Sequence, residues 1–127
     1  MFETMDITRM ARALAAHAGG RLGVIARNVA QADTPGYKAM DLPDFAASYK
    51  SQAVEGMRAT RPGHLTAANR TMTPVLQPAG GEASPNGNTV SLSREMVKSV
   101  DTRQQHDMAL AVYRATSDII RSSLGRR

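Results

Sequence analysis

Side chains able to do chemistry are few in this 127-residue sequence, and they lie far apart. Its three histidines, His17, His64 and His106, fall in separate segments without an Asp, Glu or Cys at ligand spacing, so they read as helix-surface or interface histidines. The chain has no cysteine, which removes disulfides, thiolate nucleophiles and thiolate metal sites. Asp41 and Asp44, followed by Glu55, are the carboxylates that a general acid–base pair or a weak cation site could use; a solvated loop is the simpler reading. The Gly19-Gly20 pair sits inside a helical pattern, with neither the strand nor the Lys of a phosphate-cradling loop. The residues therefore predict no catalytic site, no cofactor, no metal and no small-molecule substrate.

The elements that position these side chains follow from composition and periodicity. Aromatics make up 4% of the chain and Trp is absent, so a core must come from Leu, Ile, Val, Met and Ala, which favours packed helices. Ala11, Ala15, Ala18, Leu22, Ile25, Val29 and Ala32 recur at alternating spacings of four and three, the heptad pattern of a helix packing along a seam. Asp6 or Thr8 could cap this helix, and Pro35 requires it to stop earlier. Beside the seam runs a strip of small residues, Ala16, Gly19, Gly23, Ala26 and Ala30. Each helical glycine costs about 1 kcal/mol relative to Ala, so the strip implies a compensating close approach by a second neighbour.

A second periodic segment spans 91–127, where Leu92, Met96, Leu110, Tyr113, Ser117, Ile120 and Leu124 share one heptad register. Ser91 or Ser93 is the expected N-cap, and Gly125 the stop. The middle of this register, Ser99, Arg103 and His106, is polar. The segment between, 34–90, holds all six prolines and no comparable periodicity; it reads as irregular, with stretches such as Met72 to Leu76 able to form short strands. The chain is thus mainly α in fold class: 1–33 and 91–127 are terminal helical segments that need partners, joined by an irregular, partly β connection. Leu22, Ile25, Val29, Leu92, Met96, Leu110, Tyr113, Ile120 and Leu124 are its expected assembly seam, and Gly19, Gly23, Ala26 and Ala30 its close-packing strip.

The first helix ends in Ala26-Arg27-Asn28-Val29-Ala30-Gln31-Ala32-Asp33-Thr34-Pro35-Gly36-Tyr37-Lys38-Ala39. Pro35 presets φ at the second turn position and Gly36 supplies positive φ at the third, which specifies a type II turn. Tyr37 should then land against the helix just left, its hydroxyl requiring a polar partner. The stretch with Asn28, Thr34, Pro35, Gly36 and Tyr37 resembles the N-terminal signature of the flagellar rod, hook and hook-associated axial proteins. Ser84-Pro85-Asn86-Gly87-Asn88-Thr89-Val90 similarly resembles the lead-in to the last helix of the proximal rod members, although Ser91 stands where they usually have Asp. The resemblance covers both ends of the chain and little of 45–83.

That resemblance implies terminal helices paired as a coiled-coil layer and a structural role in the proximal rod, a shaft that transmits torque. It implies as partners copies of the chain itself, other proximal rod proteins, the rod-to-membrane-ring adaptor and, during secretion, the flagellar type III export apparatus. Export by that route needs no cleaved signal peptide, and the longest apolar run near the N-terminus, Ala13 to Ala16, is too short to be one. The alternatives are a different rod subunit of the same family or a small basic helical protein that binds nucleic acid, the latter supported by the net charge of +5 and pI near 10.2. Against the latter, Arg94, Lys98, Arg103, Arg114 and Arg121 alternate with Glu95, Asp101, Asp107 and Asp118, as on a solvated helix face rather than a nucleic-acid patch.

Overall fold

The computed structural model describes residues 2–54 and 75–125. In chain order the elements are α1 (Phe2–Ala30), β1 (Met40–Asp41), α2 (Phe45–Val54), β2 (Gln77–Pro78) and α3 (Leu92–Ser123). Glu55, His64, the Met72–Pro74 part of the expected strand region and the terminal Arg126 and Arg127 lie outside the described residues.

α1 begins at Phe2, ahead of the cap expected at Asp6 or Thr8. Asp6 sits inside the second turn, 3.2 Å from Arg9 one turn on, where a carboxylate favours the positive end of the helix dipole without capping it. At the other end the ladder tightens: Gln31 N–H is shared between the Arg27 and Asn28 carbonyls, and Ala32 N–H turns back to Val29. The helix closes before Pro35, as the proline demands. With 29 residues in α1 and 32 in α3, the rods are roughly 44 and 48 Å long.

Asn28 meets Glu95 near one end of the pair and Arg12 meets Tyr113 toward the other, so α1 and α3 run antiparallel. The seam is made mostly of small side chains. α1 buries Ala11, Ala18 and Ile25, and α3 buries Glu95, Thr102, Ala109 and Thr116, spaced by seven as a heptad seam requires. Thr102 and Thr116 return their hydroxyls to the Lys98 and Val112 carbonyls at 2.7 and 2.8 Å, which satisfies a polar atom that would otherwise be costly to bury.

Within the chain, α3 therefore meets α1 through residues other than its expected assembly seam. Leu92, Met96 and Leu124 are 46%, 58% and 70% exposed, while Leu110, Tyr113 and Ile120 are half-covered. The bulkier apolar residues lie beside the contact. Val29 of α1 is likewise exposed, Leu22 is half-covered, and Ile25 is buried. Small residues let two backbones approach, so the pair closes on alanine and threonine and turns the larger side chains outward.

Among the described residues, the connection between the helices carries more regular structure than its prolines suggest. β1 and β2 pair antiparallel, Met40 with Pro78 and Asp41 with Gln77, and Ala79 N–H extends the ladder to the Ala39 carbonyl at 2.9 Å. Val75 and Leu76 are not strand. The sequence reading contains no helix here, yet Phe45–Val54 is one. Its start is held by Asp44, whose carbonyl accepts both the N–H and the hydroxyl of Ser48 and whose carboxylate accepts Phe45 N–H. Phe45 and Tyr49 then stack one turn apart, centroids 5.3 Å from each other. α3 starts at Ser91 as N-cap with no side-chain bond to the helix, its hydroxyl lying against that of Ser93; it ends at Leu124, followed by Gly125 at φ +82°.

Candidate assembly site

The junction at the α1 C-terminus is built around two buried asparagines. Asn28, third from the end of α1, uses its amide as a peptide bond would. Its Nδ2 donates to the Met40 carbonyl at 2.7 Å and its Oδ1 accepts Met40 N–H at 3.2 Å. The amide therefore acts as a strand neighbour for β1. Nδ2 also donates to Glu95 Oε2 at 3.0 Å, and Oδ1 accepts the Tyr37 hydroxyl at 3.3 Å. An asparagine side chain has two donors and two acceptor lone pairs, and here all are used.

Asn88 does the corresponding work from the far side of the chain. Its Nδ2 reaches the carbonyls of Gln31, Ala32 and Thr34 at 3.0, 2.7 and 2.9 Å, the last acceptors of the helix end and its turn, which no further helical N–H can reach. Its Oδ1 accepts Val90 N–H at 2.8 Å, which sets the chain direction into α3. A residue distant in sequence thus serves as the C-cap of α1.

Between the asparagines lies the Thr34–Tyr37 turn. Tyr37 N–H returns to the Thr34 carbonyl at 3.4 Å and Gly36 sits at φ +73°, the geometry of a type II turn. Gly36 N–H donates to the Asn86 carbonyl at 3.0 Å. Gly87, at φ +79°, lies so close that a Cβ there would stand 3.5 Å from Gly36 Cα. Thr89 completes the join: its N–H donates to the Tyr37 carbonyl and its hydroxyl accepts Ala39 N–H at 2.9 Å.

A chain of alternating charge runs under this junction. Arg21 grips Asp41 with two parallel bonds of 2.9 and 3.0 Å, the strong bidentate geometry. Lys98 bridges Asp41 and Glu95, at 3.1 Å to each, and Glu95 closes on Asn28. Burial alone would raise the Asp41 carboxyl, but hydrogen bonds from Arg21 and Lys98 outweigh it and hold its pKa below the ordinary carboxylate value. The bond to Asp41 in turn raises that of Arg21. Two cations and two carboxylates thus tie α1, β1 and α3 with no net charge left over.

The structure places Thr34, Pro35, Gly36 and Tyr37 in one turn against the end of α1 that carries Asn28. It does not cover the strip: Gly19, Gly23, Ala26 and Ala30 are exposed, and a Cβ added at Gly19 or Gly23 would meet nothing within 4 Å. Gly20, outside the strip, is the α1 glycine where an added Cβ would meet a neighbour, Leu42 at 3.6 Å. Sequence reasoning missed Asn88, Glu95, Lys98 and Arg21 as junction residues, and read Asp41 with Asp44 as loop carboxylates. Glu95 had a signal, being the charged member of the heptad with Thr102, Ala109 and Thr116. The Arg21–Asp41 pair had none, because its partners are joined only by the fold. His17 is buried, with Nε2 2.9 Å from the Pro43 carbonyl and its ring edge-on to Phe45, a structural contact.

No protein-family model matches the chain. Curated relatives do. It is 37% identical over 101 residues to the flagellar basal body rod protein FlgB of Escherichia coli (strain K12), covering 72% of each chain. The protein of that name from Salmonella typhimurium is 35% identical over 102 residues, covering 72% of this chain and 73% of the relative. The chain belongs to the FlgB family of flagellar basal body rod proteins. A more distant relative so named, from Agrobacterium fabrum, is 33% identical over 95 residues, covering 69% of each chain. In this member of the FlgB family the two stretches that carry the sequence resemblance, Thr34–Tyr37 and Gly87–Val90, are in contact. The residues are those of a structural subunit: they hold helices in register.

Proposed function

We propose that this chain builds the proximal rod by packing its paired terminal helices, 1–33 with 91–127, against copies of itself, other proximal rod proteins and the rod-to-membrane-ring adaptor. In this reading it is not an enzyme and uses no cofactor; it reaches the periplasm-spanning rod through the flagellar type III export apparatus, without a cleaved signal peptide. The work is mechanical, the transmission of torque through packed helices. The supporting observation is the apolar surface left open on α3: Val97, Val100, Met108 and Ile119 are each more than half exposed. A run of large apolar side chains along one helix marks a surface that association covers.

Val100→Asp tests this reading. The side chain is 66% exposed, so the charge leaves the single chain intact while opposing burial in an assembly. Cells carrying only this variant are expected to make and secrete it, yet to lose swimming and yield basal bodies without a complete rod in electron micrographs. Normal swimming would remove this face of α3 from the assembly. Ile25→Asp is a poorer test, since Ile25 is 3% exposed in the chain's own seam and the substitution would act on folding first.

A further inference from the structure

Asn86-Gly87 is the only Asn-Gly pair in the sequence. In an unstructured chain this dipeptide is especially prone to cyclise, because the glycine nitrogen is unhindered by a side chain of its own. That nitrogen attacks the asparagine side-chain carbonyl carbon, a C–N bond forms, and ammonia leaves to give a five-membered succinimide. Water then opens the ring at one carbonyl or the other. The product is aspartate, or isoaspartate with the main chain rerouted through the side-chain carbon. One water is consumed and one ammonia released, so no oxidant or co-reactant is needed.

The fold engages the attacking nitrogen, the target carbonyl oxygen and the main chain on either side. Gly87 N–H, the nucleophile's nitrogen, donates to the Ser84 carbonyl at 2.7 Å. The Asn86 Oδ1 accepts Asn88 N–H at 3.0 Å, which turns the target carbonyl toward residue 88. The Asn86 main-chain carbonyl accepts Gly36 N–H at 3.0 Å, and Lys38 Nζ donates to the Gly87 carbonyl at 3.2 Å. Cyclisation requires this turn to come apart first.

We propose that Asn86-Gly87 is a deamidation site that folding closes, so that chains kept unfolded age at this residue and thereby lose the ability to form the junction. Isoaspartate lengthens the main chain between residues 86 and 87 by one carbon and turns the carbonyl that meets Gly36 into a branch carboxylate. Asn88 is then displaced from the three carbonyls of the α1 end, and the lead-in to α3 loses its anchor. Aspartate leaves the main-chain path unchanged, and its carboxylate can still accept Asn88 N–H.

The test incubates the full chain in mildly alkaline buffer with and without urea and follows residue 86 by peptide mass mapping that distinguishes aspartate from isoaspartate. Conversion is expected in urea and to be slower by roughly tenfold or more in the folded chain, since it must proceed through local opening. Equal rates would overturn the closure. After removal of urea, the isoaspartate fraction should fail to regain helical circular dichroism, whereas Asn86→Asp should regain it. Refolding of the isoaspartate chain to the same extent as the fresh chain would overturn the second half of the proposal.

Discussion

The two ends of the α1–α3 pair are held by different physics. At the junction, Asn28, Asn88 and Glu95 are at most 2% exposed, and each has specific hydrogen-bond partners. At the other end the helices touch through Ala11, Ala109 and Thr116 and a single exposed Arg12–Tyr113 hydrogen bond, while Ile7, Met10, Ile119 and Leu124 stand exposed. Hydrogen bonds fix direction and register, and an unmade one in a buried site is costly; small apolar contacts fix neither and tolerate adjustment. The difference teaches that one end is finished within the chain and the other offers apolar surface for a neighbour to complete.

The largest effect should come from Asn28→Leu. Both main-chain groups of Met40 would lose their partner in a part-buried place, and Glu95 one of its donors in a buried one, for a cost of about 3–5 kcal/mol. Thr116→Val, at the open end, removes a hydroxyl that bonds only to its own helix and should cost about 1 kcal/mol or less. Urea unfolding of both variants measures the contrast. Similar shifts in midpoint would mean that the two ends are equally specified.

Gly36→Val should come next, at about 1–2 kcal/mol, because its φ of +73° is unfavourable for a residue with a side chain. A Cβ there would meet nothing within 4 Å, so the penalty is backbone strain alone. Gly36→Asn should therefore recover much of it, since asparagine enters the left-handed region more readily. If Val and Asn proved equally stable and cells carrying either swam equally well, positive φ would not be the reason for the glycine.

Acid should weaken the junction in a way traceable to Asp41. Its pKa is held below the ordinary value near about 3.9 by Arg21 and Lys98 acting against burial. A group with a depressed folded pKa contributes stability that is present above the unfolded value and lost as pH falls through the folded one. Thermal midpoints should accordingly decline below about pH 4, and Asp41→Asn should flatten that limb while lowering stability near neutrality. An unchanged acid limb in the variant would place the titrating group elsewhere.

What was legible in the sequence divides along the comparison. The two terminal helices, the turn at Thr34–Tyr37 with positive φ at Gly36, the return of Tyr37 to the helix and the stop at Gly125 all follow from local rules, because periodicity and turn chemistry act within a few residues. Within the chain the helices close on Ala109, Thr102 and Thr116 and leave Leu92, Met96 and Leu124 of the expected assembly seam outside, because heptad periodicity does not say whether a bulky stripe faces the same chain or a neighbour. α2 was hidden among prolines, its start set by a single capping residue, Asp44. Most of the junction was illegible for a different reason. Asn88 caps a helix that ends more than fifty residues earlier, and Lys98 is placed beside Asp41 only once β1 has docked.

The smallest effect concerns the strip, and its sign is the informative part. Gly19 and Gly23 lie within α1, where glycine is less favourable than alanine by roughly 0.5–1 kcal/mol. A Cβ at either position would meet nothing within 4 Å in the single chain. Gly19→Ala and Gly23→Ala should each therefore raise the urea midpoint by about that amount, with no steric term to set against it. If a neighbouring helix packs against the strip in the rod, the added methyl would hold that helix away, and the stabilised chain would assemble worse, read as reduced swimming with undiminished secretion. Opposite signs for stability and motility would show that glycine is kept for close approach between chains. A stabilised variant that swims normally would free the strip of that role and leave the exposed face of α3 as the remaining candidate contact.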